Sequence, residues 1–467
     1  MQIARIIRSA TTVNAWRLGL FGAAAVASLL AAPVCAETID GALIQAYLSN
    51  PDINQQRAAV RASDENIPKA NAGYLPTASG EADVGLQGAD IGGLPVAIGT
   101  RPRGYGLTVT QNLWNGNRTS NGVRQAESNV FGARELLRNT EQNVLLAAST
   151  HYMDVLRDTA ILSLNQNNVD VLREQLRQTK DRFSVGEVTR TDVAQAEAGL
   201  AGSQATALTS QSQLQSSLAN YRQSVGVEPK SLAPVQPIAK PLPKSLQSAL
   251  SVAIIEHPSI VALLHGVDAA QLNVKINEGA LYPTVGLTGS VSQRFDAQNT
   301  PNYNALVGSV VGQITIPLYE GGAVYAATRQ AKEQLGQAEL QADLQRSQVR
   351  AAVVSAWGAH NNSQGIVRAA KAQVDAAEIA LAGVREEAKV GQRTTLDVLN
   401  AQQTLLNARV QLVTAQHDQV VNSYSLLSAI GRLSAATLGL HVAQYDPRTH
   451  FDQVKNKWIG LRTPDGR

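Results

Sequence analysis

Val185-Gly186-Glu187-Val188-Thr189-Arg190-Thr191-Asp192-Val193 and Val390-Gly391-Gln392-Arg393-Thr394-Thr395-Leu396-Asp397-Val398 decide how this chain is read. Both spell Val-Gly-x-x-Thr-x-x-Asp-Val, and Asp397 lies 205 positions after Asp192. Other pairs keep nearly the same offset. Gly73-Tyr74-Leu75-Pro76-Thr77 is answered by Ala280-Leu281-Tyr282-Pro283-Thr284, and Asn50-Pro51 by His257-Pro258, each 207 later. Leu113-Trp114-Asn115-Gly116 and Leu318-Tyr319-Glu320-Gly321 return to 205. The two-residue shift therefore falls between Pro76 and Leu113, where a variable loop is expected. A duplication of this kind is the first feature to settle in a long chain. The halves meet at residues 226–244, which carry Pro229, Pro234, Pro237, Pro241 and Pro243 and read as an extended linker.

Working outward, each half begins with a helical piece interrupted at Pro51 or Pro258, followed by two alternating stretches. Pro76, Ala78, Gly80, Ala82, Val84 and Leu86 face one way, and Thr77, Ser79, Glu81, Asp83, Gly85 and Gln87 the other. Tyr105, Leu107, Val109 and Leu113 oppose Gly106, Thr108, Thr110 and Asn112. Val285, Leu287, Val291 and Phe295 oppose Thr284, Thr288, Ser290 and Ser292, and a fourth strand aligns Leu306, Val310, Ile314, Ile316 and Leu318. These runs reach the length of a tilted membrane strand. The connecting tips, Gly88 to Arg103 and Asp296 to Asn304, are polar. A soluble sandwich with one buried face is the competing reading, but four long strands would leave open edges. Strands donated by several copies to one closed barrel leave none.

Long helices follow each strand pair. No proline occurs from Asn121 to Arg182 or from Gly322 to Ala388. Sixty-odd residues of helix span roughly 90–100 Å. Val374, Ala377, Leu381, Val384 and Ala388 step by three and four, as do Val169, Leu172, Leu176, Thr179 and Phe183. Leu399, Gln403, Leu406, Val410, Val413, His417, Val420, Tyr424 and Leu427 continue the step after the turn. This is a coiled-coil seam, so each half contains an antiparallel helical hairpin with the Val-Gly segment at its tip. Aromatic residues make up only 4% of the chain, too few for several large globular cores.

The first 36 residues have the layout of a secretory signal. Arg5, Arg8 and Arg17 precede the apolar run Leu18 to Ala32, and Pro33-Val34-Cys35-Ala36 offers small residues before a cut after Ala36. Acylation of Cys35 is the alternative. Those three arginines equal the whole excess of 40 basic over 37 acidic side chains, so the remaining chain is neutral. A neutral chain argues against nucleic acid as a partner. Cys35 is the only cysteine, so the chain after residue 36 has no disulfide, thiol nucleophile or thiolate metal site. No later stretch approaches eighteen consecutive apolar residues, so membrane entry is expected through a β-barrel. The seven histidines are scattered, and no Walker loop or Gly-x-Ser-x-Gly occurs. No enzyme chemistry, cofactor or metal site is expected.

Strand pair and long hairpin, duplicated with Val-Gly-x-x-Thr-x-x-Asp-Val tips and joined by the Pro317 to Gly322 stretch Pro-Leu-Tyr-Glu-Gly-Gly, resembles the TolC family of outer-membrane efflux proteins. The likeness runs from about Glu37 to Gly439. It implies an α+β membrane protein in which each protomer gives four strands to a trimeric, twelve-stranded barrel above a periplasmic α-helical tunnel. It also implies a homotrimer that meets outer-membrane lipid, a periplasmic adaptor and an inner-membrane pump, in efflux or type I secretion. A periplasmic coiled-coil adaptor or a structural stalk without a pore is the alternative. The resulting division is a signal at 1–36, a first repeat at 37–225, the linker at 226–244, a second repeat at 245–439 and a flexible tail at 440–467.

The resemblance also assigns residues. Asp397 and, one turn on, Asn400 match the pore constriction, where symmetry would repeat a carboxylate as a cation-attracting ring. The family has a second aspartate where this chain has Asn400, so the ring carries half the charge. The alternative for Asp397 is a helix cap, a role Asp192 would share. By motif match Arg393 and Asp192 pair between neighbouring hairpins to hold the gate, with Thr191 and Gln175 nearby; Ala388 replaces a tyrosine of that set. The alternative for Arg393 is a solvated surface side chain. Val185, Gly186, Val390 and Gly391 form the tips that would contact the adaptor.

Overall fold

The structure, a computed structural model, describes residues 37–89, 98–238, 242–296 and 302–466. The expected signal at 1–36 and parts of the two strand-hairpin tips and of the linker lie outside the described residues.

Helices α1 (Ile39–Ser49) and α2 (Pro51–Asp64) are broken at Asn50. Proline at the first position of α2 has no N–H to leave unpaired, and the Asn50 side chain accepts from Asp52 N–H at 2.8 Å. The second repeat does the same with different chemistry. Between α6 (Leu246–Glu256) and α7 (Pro258–Gly279), His257 Nδ1 accepts from Ser259 N–H at 3.2 Å. Burial pushes the His257 pKa down to about 4, helped by Arg138, which keeps the ring neutral and able to accept. After α2 come α3 (Asn66–Asn71) and a 3-10 turn.

Strands β1 (Thr77–Val84) and β2 (Gln87–Ala89) are followed by β3 (Ile98–Thr100) and β4 (Arg103–Trp114). The expected single strand through Leu86 breaks after Val84 and resumes as β2, which pairs with β3 and extends the hairpin beyond the sheet. Strands β5 (Thr284–Phe295) and β6 (Asn304–Thr315) complete one antiparallel sheet in the order β1-β4-β5-β6. β6 ends before Ile316, because Pro317 offers no N–H to continue the ladder.

Register puts Gly80, Leu107, Val291 and Gly308 in one row and Ala78, Val109, Gly289 and Val310 in another. The opposite face carries Ser79, Thr108, Ser290 and Ser309, and the Asp83 carboxylate meets Arg294 across Gly104. β1 and most of β6 are exposed, as are Leu107, Val291, Leu306, Val310 and Ile314. Tyr74, Trp114, Tyr282 and Tyr319 stand where strands give way to helices, with the Trp114 and Tyr282 rings 6.3 Å apart. Tyr105 and Phe295, 6.5 Å apart, stand toward the other end. Aromatic belts at both ends of an outward apolar band mark a membrane barrel wall.

The helical part consists of α4 (Arg118–Ser184) with α5 (Arg190–Val225) and α8 (Ala323–Lys389) with α9 (Thr395–Ala429). At 67 residues each, α4 and α8 extend roughly 100 Å. Gly116 lets the repeats meet beneath the sheet, because a Cβ there would lie 2.2 Å from the Gly279 carbonyl oxygen. The main core sits midway along α4 and α8, where α5 and α9 end and α7 begins, around Tyr152, Tyr221, Ile260, Leu426 and Leu427. The linker is fastened to it. Leu232, Val235 and Ile238 pack on the core, Glu37 N–H donates to the Ser231 carbonyl at 2.7 Å, and the Tyr152 hydroxyl lies 2.7 Å from the Glu37 carbonyl.

Three expectations change. In α9 the seam against α8 is Ala401, Leu405, Ala408 and Leu412, meeting Val374, Ala377 and Leu381. Gln403 is exposed instead, and Leu406 and His417 belong to a second buried stripe. The alanines set this choice, because only small residues let the two backbones approach. Phe183, at the tip end of the first seam, is also exposed. Second, residues 440–467 are not wholly free. α10 (Pro447–Val454) docks on α2, with Phe451 against the Ile67, Ala126 and Val130 cluster and His450 Nδ1 2.9 Å from the buried Asp64 carboxylate. Third, residues 246–279 are apolar and long enough to cross a membrane by composition. They are broken at His257-Pro258, and α7 packs against α4 and α8.

Candidate functional site at the hairpin tips

Both tips are built by one local code. α4 ends with Val185 as its C-cap and Gly186 at φ +81°; α8 ends with Val390 and Gly391, also at +81°. Glu187 N–H returns to the Arg182 carbonyl at 3.0 Å and Gln392 N–H to Glu387 at 2.9 Å. This six-to-one bond closes a helix with a left-handed residue. No atom crowds the missing Cβ of either glycine, so backbone strain of about 1 kcal/mol or more, not space, excludes other residues.

The next helices start with reciprocal capping boxes. Thr189 N–H and Oγ1 donate to the Asp192 carboxylate at 2.8 and 2.7 Å, and Asp192 N–H donates to Thr189 Oγ1 at 3.3 Å. Thr394 and Asp397 repeat this at 2.9, 2.9 and 3.2 Å. The caps are therefore the threonines, and the aspartates occupy the third helical position. Hydrogen bonds from Thr189 hold Asp192, and those from Thr394 hold Asp397, below the ordinary carboxylate range, so both stay charged.

An ion pair braces each tip. Arg182 Nε is 3.0 Å from Glu187, and Arg393 Nε is 2.8 Å from Glu387. Glu387 and Arg182 are equivalent by the 205-residue offset, so the two braces run in opposite sense. Within one protomer Arg393 and Asp192 are not brought together: Arg393 is raised by Glu387 and sits near Asp397, while Asp192 serves Thr189. Thr191 and Asn400 are exposed, and Gln175 accepts from Thr179 Oγ1 through its carbonyl at 2.8 Å. Val185 and Val390 are each 71% exposed at the apices.

Above the first tip runs a polar ladder that pattern reading missed. Ser203, Ser210, Ser217 and Ser224 recur every seven residues on α5. On α4 they meet Asn168 at 3.1 Å, Asn165 at 2.6 Å, Asp158 at 2.5 Å and His151 at 3.0 Å. The signal was available as a seven-residue serine spacing. A clasp then joins the repeats. His417 of α9 lies with Nε2 3.0 Å from Asp154 of α4 and Nδ1 2.9 Å from Asp418. Arg157 bridges Asp154 and Asp158 at 2.8 Å each. Burial lowers the His417 pKa, but bonds to Asp154 and Asp418 outweigh it and leave it above the ordinary value. Asp154 is half-buried, which pushes its pKa up, yet His417 and Arg157 outweigh this and hold it below its ordinary value.

A sheet with an apolar outer band, a polar opposite face and aromatic belts, continued into long paired helices, defines a pore-forming outer-membrane protein with a helical extension. The family model described as "Outer membrane efflux protein" matches residues 42–227 and 249–432. The chain is 44% identical over 432 residues to outer membrane efflux protein BepC of Brucella suis biovar 1 (strain 1330), covering 92% of this chain and 93% of that one. It is 27% identical over 410 residues to outer membrane protein TolC of Escherichia coli (strain K12), covering 84% and 82%. The crystal structure of the CmeC outer membrane channel of Campylobacter jejuni has the same fold, with a TM-score of 0.77 at 16% identity over 90% of this chain and 89% of that one. The protein belongs to the outer membrane efflux protein family. It is an outer-membrane channel whose helices lie on the periplasmic side.

Proposed function

We propose that three copies close one twelve-stranded barrel and a continuous helical tunnel, and that the tunnel receives cargo at its tips from a periplasmic adaptor and an inner-membrane pump. One observation carries this: a four-stranded sheet with an outward apolar band whose outer strands, β1 and β6, each have one edge unpaired among the described residues. Lipid tolerates no unpaired backbone edge. Assembly of copies satisfies both edges and also covers the partly exposed face of α6 and α7. Residues 1–36 serve as the export signal in this reading.

The tips act as the gate. Arg393, freed from Glu387, reaches Asp192 of a neighbouring hairpin, with Thr191 and Gln175 beside it. Asp397 lines the constriction while its capping box fixes its direction, and Asn400 leaves that ring with half the family's charge. The exposed Val185 and Val390, held out by Gly186 and Gly391, are the apolar knobs for the adaptor. Planar-bilayer recording tests the reading. Arg393→Ala and Asp192→Ala raise single-channel conductance. Asp397→Asn shifts the reversal potential in a salt gradient toward zero, and Asn400→Asp shifts it the other way. Unchanged conductance and reversal potential in all four variants would remove the tips from gating and selectivity. No conductance from the wild-type chain would remove the channel itself.

A further inference from the structure

α10 leads the chain back toward the membrane. Tyr445 and Arg448 line a cavity with Arg138 and Glu141 of α4, whereas Phe451 packs by Val130 and Ala126. The helix therefore runs antiparallel to α4, toward the start of α4 at Arg118, four residues after Trp114 of the aromatic belt. It is firmly held. His450 reaches Asp64, Arg134 lies 3.7 Å from the same carboxylate, and the Arg134 guanidinium sits 5.0 Å from the Phe451 ring centre. Val454 is fully buried.

Past that point the character of the chain changes. Trp458 is 78% exposed, Ile459 76% and Leu461 fully exposed. They occupy a small loop, because Lys457 Nζ donates to the Arg462 carbonyl and Gly460 turns at φ +109°. Lys455-Asn456-Lys457-Trp458-Ile459-Gly460-Leu461-Arg462 contains three basic residues and no acid. Three apolar side chains within four positions are not the scattered exposure of an ordinary surface. Tryptophan beside aliphatic residues, flanked by cations with long stems, suits the boundary between headgroups and acyl chains.

We propose that the 455–462 loop is an interfacial anchor, seated in the phospholipid surface at the periplasmic end of the barrel and favouring anionic headgroups. The occupant is lipid and not a second copy, because the loop keeps a net positive charge beyond the Lys455–Asp452 pair (2.8 Å), carried by Lys457 and Arg462, which complements anionic headgroups, and because α10 leads it toward the end of α4 nearest Trp114. The inference rests on the barrel's placement in the membrane. It gives the C-terminal segment a task outside transport: fixing the height and tilt of the helical tunnel beneath the bilayer.

The test uses the full chain with Cys35→Ser and Ile459→Cys, labelled with an environment-sensitive fluorophore and reconstituted into vesicles of phosphatidylethanolamine and phosphatidylglycerol. The label's emission shifts to the blue, is lost to a headgroup-nitroxide lipid and resists iodide. Changing Lys455, Lys457 and Arg462 to glutamine weakens that lipid quenching, each charge being worth about fivefold in partitioning at an anionic surface. Iodide quenching without lipid quenching overturns the proposal. So does protection from both quenchers, which would mean that protein covers the loop. Parallel labels at Val310 on β6 and Leu208 on α5 separate the two readings. A Val310 label untouched by acyl-chain nitroxides condemns the barrel placement, whereas a quenched Val310 with an unquenched residue 459 condemns the anchor alone.

Discussion

The α4/α5 hairpin and the α8/α9 hairpin are copies of one design, and both bury apolar seam residues near their tips, yet a buried polar ladder runs along the first where the second has alanines. In the first, Ser203, Ser210 and Ser224 face Asn168, Asn165 and His151. At an offset of 205 the second has Ala408, Ala415 and Ala429, and Asn165 is answered by Ala370. The second seam is aliphatic, with Val374, Leu381 and Leu405 buried around Ala377 and Ala408. A hydrogen-bonded pair adds only about 0.5–1.5 kcal/mol net, but it has a direction and fixes register. A buried leucine contributes about 1.5–3 kcal/mol and tolerates sliding. Duplication kept the backbone and let one hairpin specialise in register and the other in cohesion.

The largest expected effect comes from opening the aliphatic seam. Leu405→Ala costs about 2–4 kcal/mol, read as lost hydrogen-exchange protection along α8 and α9. Ser210→Ala costs clearly less in α4 and α5. Equal losses in the two hairpins would erase the contrast.

Swapping seam chemistry sharpens it. Asn165→Ala alone removes a buried partner and costs about 1 kcal/mol. Asn165→Ala with Ser210→Ala installs the second repeat's alanine pair and recovers most of that loss, as a double-mutant cycle on thermal unfolding measures. Additive losses would mean that the ladder pair is not a unit.

The smallest effect lies in the clasp between the hairpins. The folded pKa of His417 is raised, so its contribution is fully present below the ordinary histidine value and fades as pH rises through the folded value. The folded pKa of Asp154 is lowered, so its share is present above the ordinary aspartate value and fades only as pH falls through the depressed one. Protection of α9 against α4 is therefore greatest in mildly acidic solution and declines toward alkaline pH. His417→Gln flattens that decline. A decline unchanged in the variant would place the titrating group elsewhere.

Much of the fold was legible because repetition multiplies weak signals. The paired breaks at Pro51 and Pro258, the alternation through Leu107 and Val291, and the Val-Gly tips each appear twice. What escaped reading depends on which neighbour a side chain meets. In α9 two interleaved three-four stripes fit the sequence equally well, and alanine against alanine chose between them. Asp192 and Asp397 were readable as capping residues, but only geometry shows that Thr189 and Thr394 are the caps. Arg393 has Glu387 on its own tip, a partner six residues back that a motif match between hairpins overlooks. The docking of α10 rests on His450 and Phe451, whose partners lie in α2, α3 and α4, hundreds of residues away.

In the proposed assembly the unpaired edges of β1 and β6 belong to one another in neighbouring copies. With Cys35 replaced by serine, Ser79→Cys on β1 can be combined with a single cysteine at 307, 309 or 311 on β6 and oxidised in native membranes. At the matching register, intermolecular disulfides build dimers and then covalent trimers, and the ladder stops at three copies. A chain that stays monomeric at every β6 position, or a ladder that grows past three without closing, would contradict that assembly.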